Sequence, residues 1–508
     1  MTTPTPVTSI GAPPAAIADH LRGHRVAVSP ELRRSLADVC AEVSEADTDR
    51  AEAGRDWWPL AIGWAVDGEV PARPGVVARP ADTAQVAAVL DLCHRSRVPV
   101  TAAGGRSGVC GASVPLFGGV ALDLCGLAGV AAVDPESLTA DIRAGTFGPD
   151  VEASLREAND LTLGHWPQSM DLSTVGGWLA CRGAGQYSNR YGKIEDMVIG
   201  LEVVLADGRV VRTGGRGPRS ATGPDLTQLF VGSEGTLGVI TEGRFRVHPV
   251  PGGEGRRAFG FASFASGLDA CRRILRRGAT PAVLRLYDET ESGRSFDRPD
   301  TCILIVLDEA DPGLVGATLA IVDAECGGAD ALDVGLVGRW LEHRNDVSAL
   351  APLWRSGIVV DTVEVSARWA ALPHLYQSVL DTVGGMEGTL MVSSHQSHAY
   401  TDGACLYFTF AGRAPSTGDG TADPGPDRRW AEDYYREAWD AVTGVTRATG
   451  GAISHHHGIG LNRARFLPGA LGPAFGVLAA VKQALDPHGI LNPGKLGLPS
   501  SFGEVPWP

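Results

Sequence analysis

The chain has 508 residues, 44% apolar and 20% charged, with 66 glycines, 33 prolines and a formal net charge of −15. This length exceeds one ordinary core and predicts two or three domains; the balanced, turn-rich composition excludes a disordered chain, and an acidic balance without a long basic patch excludes a nucleic-acid partner. No apolar run reaches the length of a membrane span, the N-terminus lacks a signal-peptide pattern, and nine dispersed cysteines without a CxxC pair suit a reducing compartment, so a cytoplasmic protein is expected.

Residues 1–27 are rich in Pro, Thr and Ala and read as loose at first. A helix is predicted from about Pro30, where Leu32, Leu36, Val39 and Cys40 recur at helical spacing. A second starts after Asp82, whose carboxylate can cap it. Gln85, three residues on, would complete a capping box, and Val86, Val89, Leu90 and Cys93 share one face. Val98–Ala103 reads as a short buried strand that runs into a glycine loop, followed by a strand at Gly119–Leu124. Leu201–Val211 is a predicted hairpin around Asp207-Gly208. A helix near Ala265–Arg277 carries Arg272, Arg273, Arg276 and Arg277 on its wet face, and β-rich stretches follow at 301–307, 358–365 and 405–410. Ala411–Arg428, rich in Pro, Gly, Ser and Asp, reads as a flexible insertion. Helices mixed with antiparallel hairpins indicate an α+β architecture, and no internal repeat is visible.

Three segments concentrate glycine and hydroxyl groups. In the first, glycines 104, 105, 108 and 111 flank Arg106 and Ser107, so the backbone can approach a ligand closely and its N–H groups can cradle an anion. The spacing is neither that of a Rossmann fingerprint nor that of a Walker loop. In the second, Ser173-Thr-Val-Gly-Gly177 offers hydroxyls and bare backbone together, a suitable wall for a planar polar cofactor and its diphosphate. In the third, Gly232-Ser-Glu-Gly235 and Gly238 surround the start of an apolar strand.

The sequence then places three histidines in a row, His455, His456 and His457, between the β-prone Ala452-Ile453 and the turn Gly458-Ile-Gly460. Imidazole titrates near neutrality and is costly to bury alone, so such a run points to a catalytic or ligand-facing role. A metal-binding tract or solvated loop would more often sit among polar residues near a terminus. If the run is extended, His455 and His457 share one surface and His456 faces the other. On the run Cys405–Phe410, Cys405, Tyr407 and Thr409 share one face and the apolar Leu406, Phe408 and Phe410 the other, so the first suits a pocket.

The three glycine-rich segments, in this order, resemble the PCMH-type FAD-binding domain of the vanillyl-alcohol oxidase class. Leu485–Leu496 resembles the C-terminal signature of FAD-linked oxidases. Within the class the chain is most similar to the alkylglycerone-phosphate synthase family, on Ser173–Trp178 with Tyr191–Val198, Gly403–Phe410 and Ser454–Gly458. The resemblance spans roughly residues 75–500. It implies an N-terminal helical segment (1–74), a two-subdomain FAD domain (75–250), an α+β cap with an antiparallel sheet (251–450) and a C-terminal segment returning to the FAD domain (451–508).

The resemblance also implies site roles. Tyr407, His456, His457, His165 and Arg285 fall on the family's catalytic positions, with Arg285 of Leu284-Arg-Leu-Tyr-Asp288 holding an anionic group. Bottom-up, a phenol and imidazoles can move protons and a guanidinium can clamp an anion, while Arg285 could instead pair with Asp288. The implied FAD contacts are Gly104, Gly105, Arg106, Ser107 and Gly108, then Ser169, Ser173, Thr174, Gly176 and Gly177, then Glu234, Gly235 and Ile240, and Asn492. No metal ligand is expected. The implied reaction exchanges the acyl group of an acyl-glycerone phosphate for a fatty alcohol through a flavin N5 adduct; the alternative is hydride removal from a small hydroxy acid or alcohol. A small anionic substrate is the expected partner, with room for peripheral membrane contact by a lipid substrate and for a homodimer. Two departures stand out. The family's second anion-binding arginine falls near Leu350, with Arg344 and Arg355 only nearby. The usual histidine tether for FAD is replaced by Arg106, so non-covalent FAD is expected, with Cys110 a packed small residue.

Overall fold

The computed structural model describes residues 13, 16–215, 217–415 and 427–507. Most of the expected flexible insertion and of the N-terminal Pro/Thr/Ala-rich stretch lies outside them. The first helix, Pro30–Val39, begins where Ser29 accepts the N–H of Leu32, and it buries Leu32 and Leu36. The second, Thr83–Ser96, is capped by Asp82 accepting from Gln85 N. Here the expected capping box is only half made. The Gln85 amide oxygen takes the N–H groups of Ala81 and Ala41 instead, tying the helix start to the neighbouring chain.

Three larger sheets organise the chain. The first has four strands in the order Glu42–Ser44, Val76–Arg79, Val120–Asp123, Val100–Ala103, with parallel pairing around Val120–Asp123. The second is antiparallel with five strands, and it contains the predicted hairpin as Val198–Val204 paired to Val210–Gly214. The third is antiparallel with seven strands, in the order Asp330–Ala331, Gly253–Phe261, Cys302–Ala310, Val283–Tyr287, Thr389–Ala399, Gly403–Gly412, Val359–Arg368. Leu406, Phe408 and Phe410 are fully buried against Tyr435 and Trp439 of the helix Arg428–Ala448, which turns Tyr407 to the other side of the sheet.

The C-terminal segment returns to the first sheet. Val100 donates to Ile490 O and accepts from Asn492 N, each at 2.8 Å. The buried ammonium of Lys482 donates to Thr236 O and Leu491 O, both at 2.8 Å, locking the returning chain to the third glycine-rich segment. The nine cysteines are unpaired. Among the described residues no single helix is long and apolar enough to cross a membrane, although the bent pair Ala464–Leu471 and Ala474–Leu485 passes that test jointly.

Candidate active site

A cavity of about 260 Å³ opens between the first two sheets and the seven-stranded sheet. One wall is the glycine loop Gly104–Gly108 with Ser169, Ser173, Thr174, Gly176, Gly177, Glu234, Gly235 and Ile240. Gly104, Gly105 and Gly176 mark places where chain packs closely on chain. A Cβ on Gly104 would lie 2.1 Å from Thr174 Oγ1, and one on Gly105 only 1.9 Å from Leu172 O. The wall combines these glycines with small and apolar side chains, and Thr174 Oγ1 is buried without a hydrogen-bond partner. A narrow, mostly apolar slot with a spare hydroxyl and exposed peptide groups suits a flat cofactor bearing a diphosphate. Arg106 adopts φ +54° and bonds Asp123 at 2.9 Å, so it is pulled aside and held by that carboxylate. Cys110 is buried, and burial pushes its thiol well above the usual range, so it stays protonated and packed.

The opposite wall carries the titratable groups. Arg285 projects from the strand Val283–Tyr287 and Tyr407 from Gly403–Gly412, while His456 and His457 come from the loop after Ala452. Tyr407 Oη lies 2.5 Å from His456 Nε2. Burial raises the Tyr407 phenol well above its ordinary pKa and drives His456 well below, so both are neutral near pH 7. Arg285 Nη2 lies 2.6 Å from His395 Nε2, and His395 Nδ1 is 2.7 Å from Glu291. The expected alternative, an Arg285–Asp288 pair, is not formed. Asp288 instead caps the helix Glu289–Phe296 and accepts from Ser394 N.

A buried ion pair shapes the histidine loop. Glu364 Oε1 accepts the backbone N–H groups of His455, His456 and His457 at 3.2, 3.0 and 2.7 Å, and Ser454 Oγ at 2.9 Å. Arg463, fully buried, bonds both Glu364 carboxylate oxygens and also donates to Gly458 O at 2.8 Å. Against the cost of burial, Arg463 and then His457 hold the Glu364 carboxyl well below the usual range. Three consecutive N–H groups converging on one oxygen cannot belong to an extended strand. The triplet is a turn, and the expected partition is corrected accordingly: His456 and His457 share the cavity, while His455 turns away and meets Tyr400 at 2.5 Å.

Two other expected site residues lie off the cavity wall. His165 is fully buried beside Trp178, ring centroids 4.6 Å apart, and burial pushes it down to about 3. Asn492 donates to Ala112 O at 2.9 Å and Glu234 O at 2.7 Å, so it ties the glycine loop to the third segment from behind. Glu234 reaches across: its carboxylate accepts from Ile459 N and Gly460 N at 2.6 and 2.8 Å, joining the first wall to the histidine loop. Arg355 is exposed. Arg344 packs its guanidinium over Trp166, Tyr187 and Trp340, and it is not among the cavity-lining residues. Sequence reasoning missed Glu364, Arg463, His395 and His398. The available signal was an acid inside an apolar β-run, Val360–Val365, since a buried carboxylate there demands a partner.

Comparison with known proteins accords with this geometry. The family described as FAD binding domain matches residues 74–214, and FAD linked oxidases, C-terminal domain, matches 257–496. The FAD-linked oxidoreductase YgcU of Escherichia coli (strain K12) is 30% identical over 442 residues, covering 83% of this chain and 89% of YgcU. Alkyldihydroxyacetonephosphate synthase of Dictyostelium discoideum is 29% identical over 469 residues, covering 84% and 74%. A solved structure of an alkyldihydroxyacetonephosphate synthase superposes with a TM-score of 0.75 at 26% identity, covering 93% of this chain and 86% of that one. The expected α+β fold with a PCMH-type FAD domain is the fold found, and FAD is the cofactor. The chain is a flavoenzyme and belongs to the FAD-linked oxidase family.

Proposed function

We propose that the enzyme works on a small anionic substrate by alkylglycerone-phosphate synthase-like exchange, replacing the acyl group of an acyl-glycerone phosphate by a fatty alcohol. The observation that carries this reading is the Tyr407–His456 pair at 2.5 Å on the same wall as Arg285. Bound FAD supplies an N5 position that can accept a nucleophile or a hydride. Gly104, Gly105, Arg106, Ser107, Gly108, Ser169, Ser173, Thr174, Gly176, Gly177, Glu234, Gly235 and Ile240 would hold it, with Asn492 bracing the wall. Arg285 orients the substrate's anionic group with its planar fork. Tyr407 takes the proton from the carbon next to oxygen, with His456 receiving the phenol's own proton, and His457 stands beside them as a second neutral imidazole.

A second reading has its own support. On the cap wall Arg285 is the arginine that reaches the cavity, and a single guanidinium suits one carboxylate. On that reading Tyr407 deprotonates the hydroxyl of a 2-hydroxy acid while a hydride leaves its carbon. One experiment separates the two. The yellow protein is mixed anaerobically with 2-hydroxy acids, and separately incubated with palmitoyl-dihydroxyacetone phosphate and hexadecanol. Ether-lipid product with a persistent oxidised flavin spectrum supports the exchange, whereas bleaching by a hydroxy acid without ether product replaces it by hydride transfer.

A further inference from the structure

Burial poses a problem for the proton that Tyr407 accepts. A phenolate and an imidazolium are both costly in this pocket, so neither Tyr407 nor His456 can store the charge alone. The hydrogen bonds continue past them, however. His456 Nδ1 is 2.8 Å from His455 Nδ1, and His455 Nε2 is 2.5 Å from Tyr400 Oη. Tyr400 follows the strand Thr389–Ala399 and is partly exposed, with Lys193 Nζ 4.8 Å from its ring centre. His398 stacks on His455 at 4.8 Å and meets the His456 ring edge-on at 4.8 Å, and its own Nδ1 is tied to Ser188 Oγ at 2.7 Å. The two relay imidazoles are thus braced from the side.

We propose that Tyr407, His456, His455 and Tyr400 form a proton relay joining the cavity to the protein's exterior, with His455 and Tyr400 positioning and passing protons without touching substrate. The proposal rests on Tyr407 being the group that meets the substrate proton. The neutral chain can be written in one consistent order: Tyr407 O–H to His456 Nε2, His456 Nδ1–H to His455 Nδ1, His455 Nε2–H to Tyr400 Oη. When a substrate proton arrives on Tyr407 oxygen, each group hands its own proton to the next, and Tyr400 releases its O–H proton to water. One proton enters and one leaves; no electrons move. Every member is again neutral, with the direction of all three bonds reversed. Each group is both donor and acceptor, which neutral imidazole and phenol are and which their charged forms are not. The order returns when a proton travels back to the substrate or product.

The test uses the flavin-loaded enzyme, with whichever substrate of the preceding experiment turns over, and the variants Tyr400→Phe, His455→Gln and Tyr407→Phe. The relay predicts that Tyr400→Phe and His455→Gln lower kcat about tenfold, with KM and flavin content at parent values. It also predicts that rising concentrations of imidazole or formate buffer restore most of the loss, because a small carrier can stand in for the missing link. Parent-rate turnover in both variants overturns the relay, and so does a loss that no buffer restores, which marks a structural role. Should Tyr407→Phe be slow while Tyr400→Phe is not, the relay alone fails; a fast Tyr407→Phe removes the base assignment and the relay with it. Nitrogen atoms of His398, His455 and His456 also lie within 4.8 Å of one another, close enough to share a metal ion. One equivalent of zinc retained by the dialysed holoenzyme, and lost in His455→Gln, would overturn the relay, because a metal on both Nδ1 atoms leaves no proton to pass.

Discussion

The two walls of the cavity are built by opposite rules. The wall from the first two sheets is rich in glycine, alanine and serine, with Arg106 held by Asp123 and Asn492 bracing it from behind. The wall on the side of the seven-stranded sheet is made of side chains, five of them titratable (Arg285, His398, Tyr407, His456 and His457), and behind it stands a fully buried ion pair, Glu364–Arg463. Binding a large flat cofactor needs shape, which backbone supplies at low entropic cost. Proton chemistry needs oriented functional groups, which must be held, and the ion pair holds them.

The largest expected effect comes from removing that support. Glu364→Ala strands the Arg463 charge and frees three N–H groups, and the loss of one partner of a buried pair costs about 3–5 kcal/mol. Urea denaturation of the variant measures it; an unfolding free energy at the parent value would break the comparison. Because the Glu364 carboxyl ionises well below its ordinary range in the fold, its contribution is complete at neutral pH. It is lost as pH falls below the unfolded carboxylate range and through the depressed folded value.

Tyr407→Phe tests the chemical wall without disturbing the other. Turnover should fall by about 10²-fold, the usual scale for a lost general base, while FAD content stays at the parent level. Gly105→Val tests the converse. With Leu172 O 1.9 Å from the Cβ position, the wall must shift, and FAD should be retained about tenfold less tightly or worse. Flavin fluorescence after gel filtration reads this, and normal retention would show that the glycine loop is not a cofactor contact. In the parent, acid precipitation should release all the FAD, since Arg106 and the packed thiol of Cys110 offer no tether. Arg285→Lys should have the smallest effect, about a tenfold rise in KM with unchanged flavin content, because an ammonium cannot form the two-bond fork. A change in thermal stability alone would recast Arg285 as a brace for His395.

The legible parts of the sequence were those where local chemistry carries the message. Glycine spacing, the alternation along Cys405–Phe410 and the Asp207-Gly208 turn each reflect a rule acting over a few residues, so the glycine-rich loop, the strand bearing Tyr407 and the hairpin could be read directly. The histidine turn could not. Strand alternation predicted that His455 and His457 share a face, but a carboxylate about 90 residues upstream gathers three successive N–H groups and reverses the chain there. His165 shows a related effect: the fold packs it beside Trp178, and it is not among the residues that line the cavity.

By itself, then, the amino-acid sequence determined the element types, the glycine-rich segments that line one side of the cavity and the residue types available for proton transfer, because propensity, periodicity and close-approach glycines are local properties. The tertiary structure alone decided which of those residues meet. Only the seven-stranded sheet sets Glu364 opposite Tyr407 on the adjacent strand and brings Arg285 beside His395; only the chain's return after the helix Arg428–Ala448 places His456 against Tyr407 and His455 against Tyr400. These contacts join residues 43 or more positions apart, and they follow from burial and strand register, which no short window of sequence contains.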